Sequence, residues 1–109
     1  MNTFTEYEDA AAALSLNLDK YTVDGLPIYY CLGVAGESGE LVDKVKKAWR
    51  NNSQINIYET LKEVGDVLWY LTMIARFFNS SLQEVAELNI NKLRDRATRL
   101  VIVGEGDNR

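Results

Sequence analysis

Two short stretches carry the residues most able to do chemistry, Glu37-Ser38-Gly39-Glu40 and Glu63-Val64-Gly65-Asp66. Both read acid-x-x-acid, and a spacing of three puts the two carboxylates of each pair on one face of a helix. Like charges so placed repel unless something positive lies between them, and the immediate neighbours here are small or apolar. Two such pairs on adjacent antiparallel helices would bring four carboxylates to one point. Oxygen-only donors of that kind suit Mg²⁺ or Mn²⁺. The competing reading is two solvated acidic faces, with Lys44 and Lys62 as local partners. The chain has no histidine, which excludes Glu-x-x-His di-iron sites, His-dependent nucleophilic triads and His-bearing zinc sites. Its lone cysteine, Cys31, allows neither an intrachain disulfide nor a four-thiolate metal site.

Other residues gather around the acids in the pattern. Gly33 falls on the same helical face as Glu37, Glu40 and Lys44, leaving room there for a ligand or for a closely packed helix. Close packing is the natural account of Gly36 and Gly39, since a glycine inside a helix costs about 1 kcal/mol relative to alanine. Further along, Asn89, Lys92, Arg96 and Arg99 share one face. A cationic face beside a metal-carboxylate cluster fits a polyphosphate substrate; the alternative is an exposed basic face near a helix C-terminus, where cations are favoured anyway. Tyr7, Tyr29, Tyr30, Trp69 and Tyr70 lie near the acids and read chiefly as core, Trp69 being the first choice for stacking on a base.

Four helices must hold these groups: about Thr5 to Tyr21, Pro27 to Arg50, Tyr58 to Phe78 and Leu82 to Leu100. Each shows an apolar stripe at helical spacing. Asn51-Asn52-Ser53 and Asn79-Ser80-Ser81 break the later three apart, and Ser81 with Glu84 has capping-box spacing. Thr22 to Leu26 reads as a loop entering the second helix at Pro27. The third helix is apolar on more than one side, with Val67, Tyr70, Ile74 and Phe77 opposite its main stripe. Such a helix must be covered nearly all round. A second subunit is the simplest cover, the first helix the alternative.

At these residues the chain resembles a known family. Leu32 to Lys44, Lys62 to Leu71 and the Asn-x-x-Lys-Leu segment beginning at Asn89 resemble, in order and spacing, the three motifs of MazG-like nucleoside triphosphate pyrophosphohydrolases. The resemblance implies an all-α, four-helix bundle-like domain of the all-α NTP pyrophosphatase type, oligomeric as a homodimer or tetramer. It implies Mg²⁺-dependent hydrolysis of nucleoside triphosphates between the α- and β-phosphates, with Mn²⁺ as a substitute. By the same resemblance Glu37, Glu40, Glu63 and Asp66 are the metal-binding and catalytic acids, and Lys44, Asn89, Lys92 and Arg96 stand near the phosphates. A dUTPase-type, uracil-selective relative and a non-enzymatic helical adaptor are the rival readings.

Length and composition bound the rest. The 109 residues make one domain, 1–109, with 101–109 as a C-terminal tail, and one thin core. A net charge of −4 argues against a nucleic-acid coat. Three acids and no basic residue in the first nine positions do not make an export signal, and the apolar run Val67 to Ala75 is too short to span a bilayer. The expectation is a cytoplasmic protein without a membrane or nucleic-acid partner. For the tail, Gly104 to Arg109 is weighed as a lid over a nucleotide site against an ordinary frayed terminus.

Overall fold

The computed structural model describes residues 1, 3–14 and 21–103. Its elements in order are helix α1 (Phe4–Ala13), strands β1 (Thr22–Val23) and β2 (Leu26–Pro27), and helices α2 (Ile28–Arg50), α3 (Ile57–Phe77) and α4 (Leu82–Val103). The architecture is the all-α, four-helix one, with a very short hairpin added. The helix expected to reach Tyr21 ends at Ala13, capped by Leu14; the rest of that expectation lies outside the described residues as far as Lys20.

Helix ends follow local chemistry. Thr3 Oγ1 accepts from the Glu6 amide at 3.1 Å, Asn56 Oδ1 from Glu59 at 3.0 Å, and Ser81 Oγ from Glu84 at 3.1 Å. Each satisfies an amide that a helix start leaves without an intrahelical acceptor. The stops of α2 and α3 share one device: Asn52 and Asn79 take positive φ, and the amide of the next residue returns to Ala48 or Ala75 at 2.9 Å. Asparagine tolerates the left-handed conformation that this motif needs.

The hairpin was not expected from the sequence. Asp24 and Gly25 both carry positive φ, as the tight primed hairpin turns require, and Asp-Gly is a favoured pair for them. Thr22 pairs with Pro27 and Val23 with Leu26, strands too short to show alternation. A Cβ on Gly25 would sit 3.2 Å from Phe77 Cζ, so the hairpin rests on the C-terminal end of α3.

Helices α2 and α3 form the main pair, running antiparallel, as contacts from Gly33 to Tyr70 and from Lys44 to Glu63 require. Helix α1 packs over α3 at Trp69, whose indole N–H donates to the Ala11 carbonyl at 3.3 Å. It also anchors α4, because the buried Glu8 carboxylate accepts the Leu82 amide. Helix α1 thus provides part of the cover expected for α3. Leu61, Val64, Leu71 and Phe78 of α3 and its cap stay exposed, as do Leu32, Val42 and Trp49 of α2. Among the described residues the buried apolar ones are Ala11, Tyr30, Ala48, Met73 and Ala75. The radius of gyration, 17.4 Å, exceeds the roughly 13 Å typical of a compact chain of this size. Among the described residues no helix is long and apolar enough to cross a membrane.

Candidate metal and nucleotide site

The acids meet where α2 and α3 cross. Glu37, Glu63 and Asp66 each place one carboxylate oxygen within 4.8 Å of the other two. Glu37 and Glu63 are half-buried and Asp66 is exposed. Octahedral coordination at about 2.1 Å puts ligand oxygens about 3 to 4 Å apart, so three oxygens this close need only small side-chain adjustments to share one ion. The donor set is hard and all-oxygen, which fits Mg²⁺ or Mn²⁺. Glu40, the fourth expected acid, lies outside the trio. Glu40 is exposed, and the helical offset alone does not set it apart, since Glu63 and Asp66 are spaced the same way and both join the trio.

The electrostatics match this crowding. The Glu37 carboxyl is held above the ordinary glutamate range, first by burial, then by the charges of Asp66, Glu63 and Glu40 and a hydrogen bond with Glu63. No lysine or arginine among the described residues pairs with Glu37 or Asp66. Lys44 does pair with Glu63, its Nζ 3.6 Å from Oε1, and so bridges the two helices. The sequence suggested local partners for the acids; Lys62 instead joins Glu59 at 3.1 Å and lies over the Tyr58 ring.

Toward the N-terminal end of α2 the site is walled by aromatic rings. A Cβ on Gly33 would fall 2.2 Å from Tyr70 Cε1. The room expected at Gly33 is therefore taken by the Tyr70 ring, which lies directly on the α2 backbone. Around Gly36 and Gly39 no described residue lies within 4 Å of such a Cβ, so the close packing expected of them is not made among the described residues. The Tyr70 hydroxyl donates to that of Tyr29 at 3.5 Å. That bond, then burial and the nearby charges of Glu37 and Asp66, push the Tyr70 hydroxyl up to about 12. It stays a neutral donor throughout the physiological range. Trp69 stands edge-on to Tyr70 at 5.0 Å and to the buried Tyr30 at 5.9 Å. Its one polar group is engaged by Ala11, so Trp69 braces Tyr70 from behind.

The remaining expected residues lie elsewhere. Asn89 lines an apolar cleft of about 550 Å³ with Leu71 and Phe78 on one side and Val85 on the other. Lys92 is exposed on α4 and pairs with no acid among the described residues; Arg96 is half-buried on the same helix. Arg99 bonds Asp95 at 3.1 Å. The structure thus gathers Glu37, Glu63, Asp66 and Lys44, sets Glu40 at their edge, and does not bring Asn89 or Lys92 to them. The larger clefts are apolar and belong to uncovered helix faces, not to the acids. Sequence reasoning missed the Gly33–Tyr70 contact, although the i, i+4 spacing of Asp66 and Tyr70 was a usable sign of it.

Comparison with known proteins agrees with this geometry. A model of the MazG nucleotide pyrophosphohydrolase domain matches residues 28–101, spanning the acids, Lys44, the aromatic wall and most of α4. The "Gene 37 protein" of Mycobacterium phage L5 is 40% identical over 92 residues, covering 81% of this chain and 80% of that protein. No solved structure matches the chain. With the family model covering well over half of the sequence and the acids meeting where its helices cross, the chain belongs to the MazG nucleotide pyrophosphohydrolase family.

Proposed function

We propose that this protein hydrolyses nucleoside triphosphates between the α- and β-phosphates, giving a nucleoside monophosphate and pyrophosphate as part of nucleotide-pool housekeeping in the cytoplasm. The observation that carries the reading is the convergence of Glu37, Glu63 and Asp66 oxygens beside a lysine and an aromatic wall. Mg²⁺, or Mn²⁺ in its place, held by those three acids would supply the positive charge that offsets negative charge developing on the α-phosphate. The chain's own groups do the rest. The trio fixes the site of cleavage, and Lys44 stands ready for a phosphate oxygen. Tyr70, with Trp69 behind it, offers a face to the nucleoside. Water attacks the α-phosphorus, the bond to the pyrophosphate oxygen breaks, and the water's proton passes to a carboxylate. Glu40, outside the trio yet near enough to raise the pKa of Glu37, is the acid left for that proton.

Asn89, Lys92 and Arg96 enter this reading through assembly. A chain of 12.4 kDa folded alone typically exposes about 6,100 Å², whereas this one exposes 8351 Å². The excess, about 2,000 Å², is of the size that obligate homodimers bury. Sedimentation should therefore give a dimeric or tetrameric mass; a monomer at micromolar concentration that is fully active would overturn the assembly.

The test of the activity is a substrate panel. Each dNTP and rNTP is incubated with Mg²⁺ and the products are separated as nucleoside monophosphate and pyrophosphate. Turnover of several triphosphates supports the proposal, and turnover of dUTP alone supports a dUTPase-type enzyme. Release of orthophosphate instead of pyrophosphate, or no turnover with either Mg²⁺ or Mn²⁺, sinks it.

A further inference from the structure

Helix α4 leans on the rest of the fold chiefly through its first turn. Ser81 and Leu82 are half-buried, and every residue from 83 to 95 is exposed. Among its described side chains α4 is half-buried again only at Arg96, Arg99 and Leu100. The apolar cleft of about 550 Å³ separates it from α3, lined by Leu71 and Phe78 on one side and by Leu82 and Val85 on the other. Apolar walls of this kind are driven together by water. The joint between them is the short turn Asn79-Ser80-Ser81. A second fixed point is therefore needed to hold α4 off α3.

Glu8 supplies that point. It is 7% exposed, and no described lysine or arginine pairs with it. A buried carboxylate is costly unless it is hydrogen-bonded; here the bond comes from the Leu82 amide. Ser81 Oγ already takes the Glu84 amide, so Leu82 is the first helical residue, and its amide has no intrahelical acceptor. The carboxylate also meets the positive end of the α4 dipole. Glu8 is itself held in place from both sides. The Ala11 carbonyl accepts from Trp69 at 3.3 Å, and the Tyr7 hydroxyl hydrogen-bonds with the fully buried Thr72. Both anchors belong to α3. The three helices thus close a triangle: α1 is fixed on α3, α3 turns into α4, and α4 is tied back to α1 by Glu8.

We propose that Glu8 is a positioning residue, a strut that sets the angle of α4 and with it the reach of Asn89, Lys92 and Arg96. This rests on the reading that brings those three residues to the nucleotide through assembly. Without the strut α4 pivots about its turn. Lys92 stands about 15 Å from Leu82 along the helix, so a tilt of about 15° carries it about 4 Å, further than a hydrogen bond can stretch. The acid trio sits on α2 and α3 and stays where it is.

The test breaks the bond from each end. Glu8→Ala removes the acceptor. Leu82→Pro removes the donor and keeps the helix, because proline is favoured at the first helical position. Glu8→Gln keeps an oxygen for the same bond and should behave as the parent. The angle is read as the distance between nitroxide labels on the exposed Cys31 and on Thr98→Cys, also exposed, by double electron–electron resonance, with labelled chains diluted by unlabelled ones. The parent and Glu8→Gln should give one narrow distance. Glu8→Ala, Leu82→Pro and the two combined should each give a shifted or broadened distribution, the pair no worse than either alone, since they remove one shared contact. In unlabelled protein both single variants should raise KM for triphosphate about fivefold or more with kcat within about twofold, the mark of lost binding contacts. Mn²⁺ affinity should not change. Distances that ignore both variants overturn the inference. So does a shifted distance with an unmoved KM, or a fall in kcat and Mn²⁺ affinity together, which would make Glu8 a general support of the fold. If the parent hydrolyses no triphosphate, the proposed activity falls by itself, and the labels alone decide whether Glu8 sets the angle of α4.

Discussion

Replacing Glu37 with glutamine is expected to lower turnover by about a hundredfold or more while raising the melting temperature of the metal-free protein. Loss of one ligand to a charge-stabilising cation removes several kcal/mol from the transition state, and each 1.4 kcal/mol or so is tenfold in rate. The gain in stability has a separate origin. Burial and the neighbouring acids hold the Glu37 carboxyl above its ordinary range, so the folded protein carries an ionised group that it disfavours. A raised carboxyl pKa means that stability is greatest below the unfolded value and is lost as pH rises through the folded one. Glutamine removes that loss. The variant's advantage should be full at neutral pH and vanish once the pH falls below the ordinary glutamate value, where Glu37 is protonated in both states. Melting curves across the carboxylate range check the sign. Equal melting temperatures at neutral pH would mean that the acids do not repel.

Two neighbouring substitutions sharpen the result. Glu63→Gln should lose comparable activity without the same gain in stability, because it also leaves Lys44 without its partner at 3.6 Å. Glu40→Gln should lose turnover while keeping Mn²⁺ affinity, measured by electron paramagnetic resonance, since Glu40 lies outside the trio. Mn²⁺ binding weakened equally by Glu37→Gln and Glu40→Gln would make Glu40 a fourth ligand and remove its assignment as the proton acceptor.

Gly33→Ala is the second substitution with a large expected effect. At an exposed helical position the change is worth about 1 kcal/mol of stability. Here the added Cβ meets three atoms of the Tyr70 ring at 2.2 to 2.4 Å, closer than real Cβ atoms approach anything. The ring cannot simply retreat, because Trp69 stands edge-on to it at 5.0 Å and Tyr29 receives its hydroxyl. Overpacking of this kind costs about 1–3 kcal/mol, enough to reverse the helix gain. The variant should melt lower than the parent and show a raised KM for nucleotide, with the Tyr29–Tyr70 hydrogen bond lost. Gly36→Ala is the control: nothing lies within 4 Å of its Cβ, so it should be neutral or stabilising. A Gly33→Ala protein as stable and active as the parent would show that Tyr70 moves aside freely.

Much of the fold was legible before any coordinates. Helices α2, α3 and α4 start close to where Pro27, the first asparagine break and Ser81 predict, and α2 and α3 stop at the asparagine breaks. These signals are local: a side chain that caps an amide, or a residue that tolerates positive φ, acts within four positions of itself. The same holds for the acid pairs, since the helical period alone puts Glu37 with Glu40 and Glu63 with Asp66. What the period leaves open is the rotation and register of one helix against another. Only the tertiary structure decided that three of the four acids converge, that Lys44 answers Glu63 across the helix pair, and that Tyr70 fills the space over Gly33. Each depends on a contact across the helix pair, 19 to 37 positions apart in the chain. The pitch of α2 says nothing about which residue of α3 will stand opposite; that choice belongs to the packing of the two surfaces.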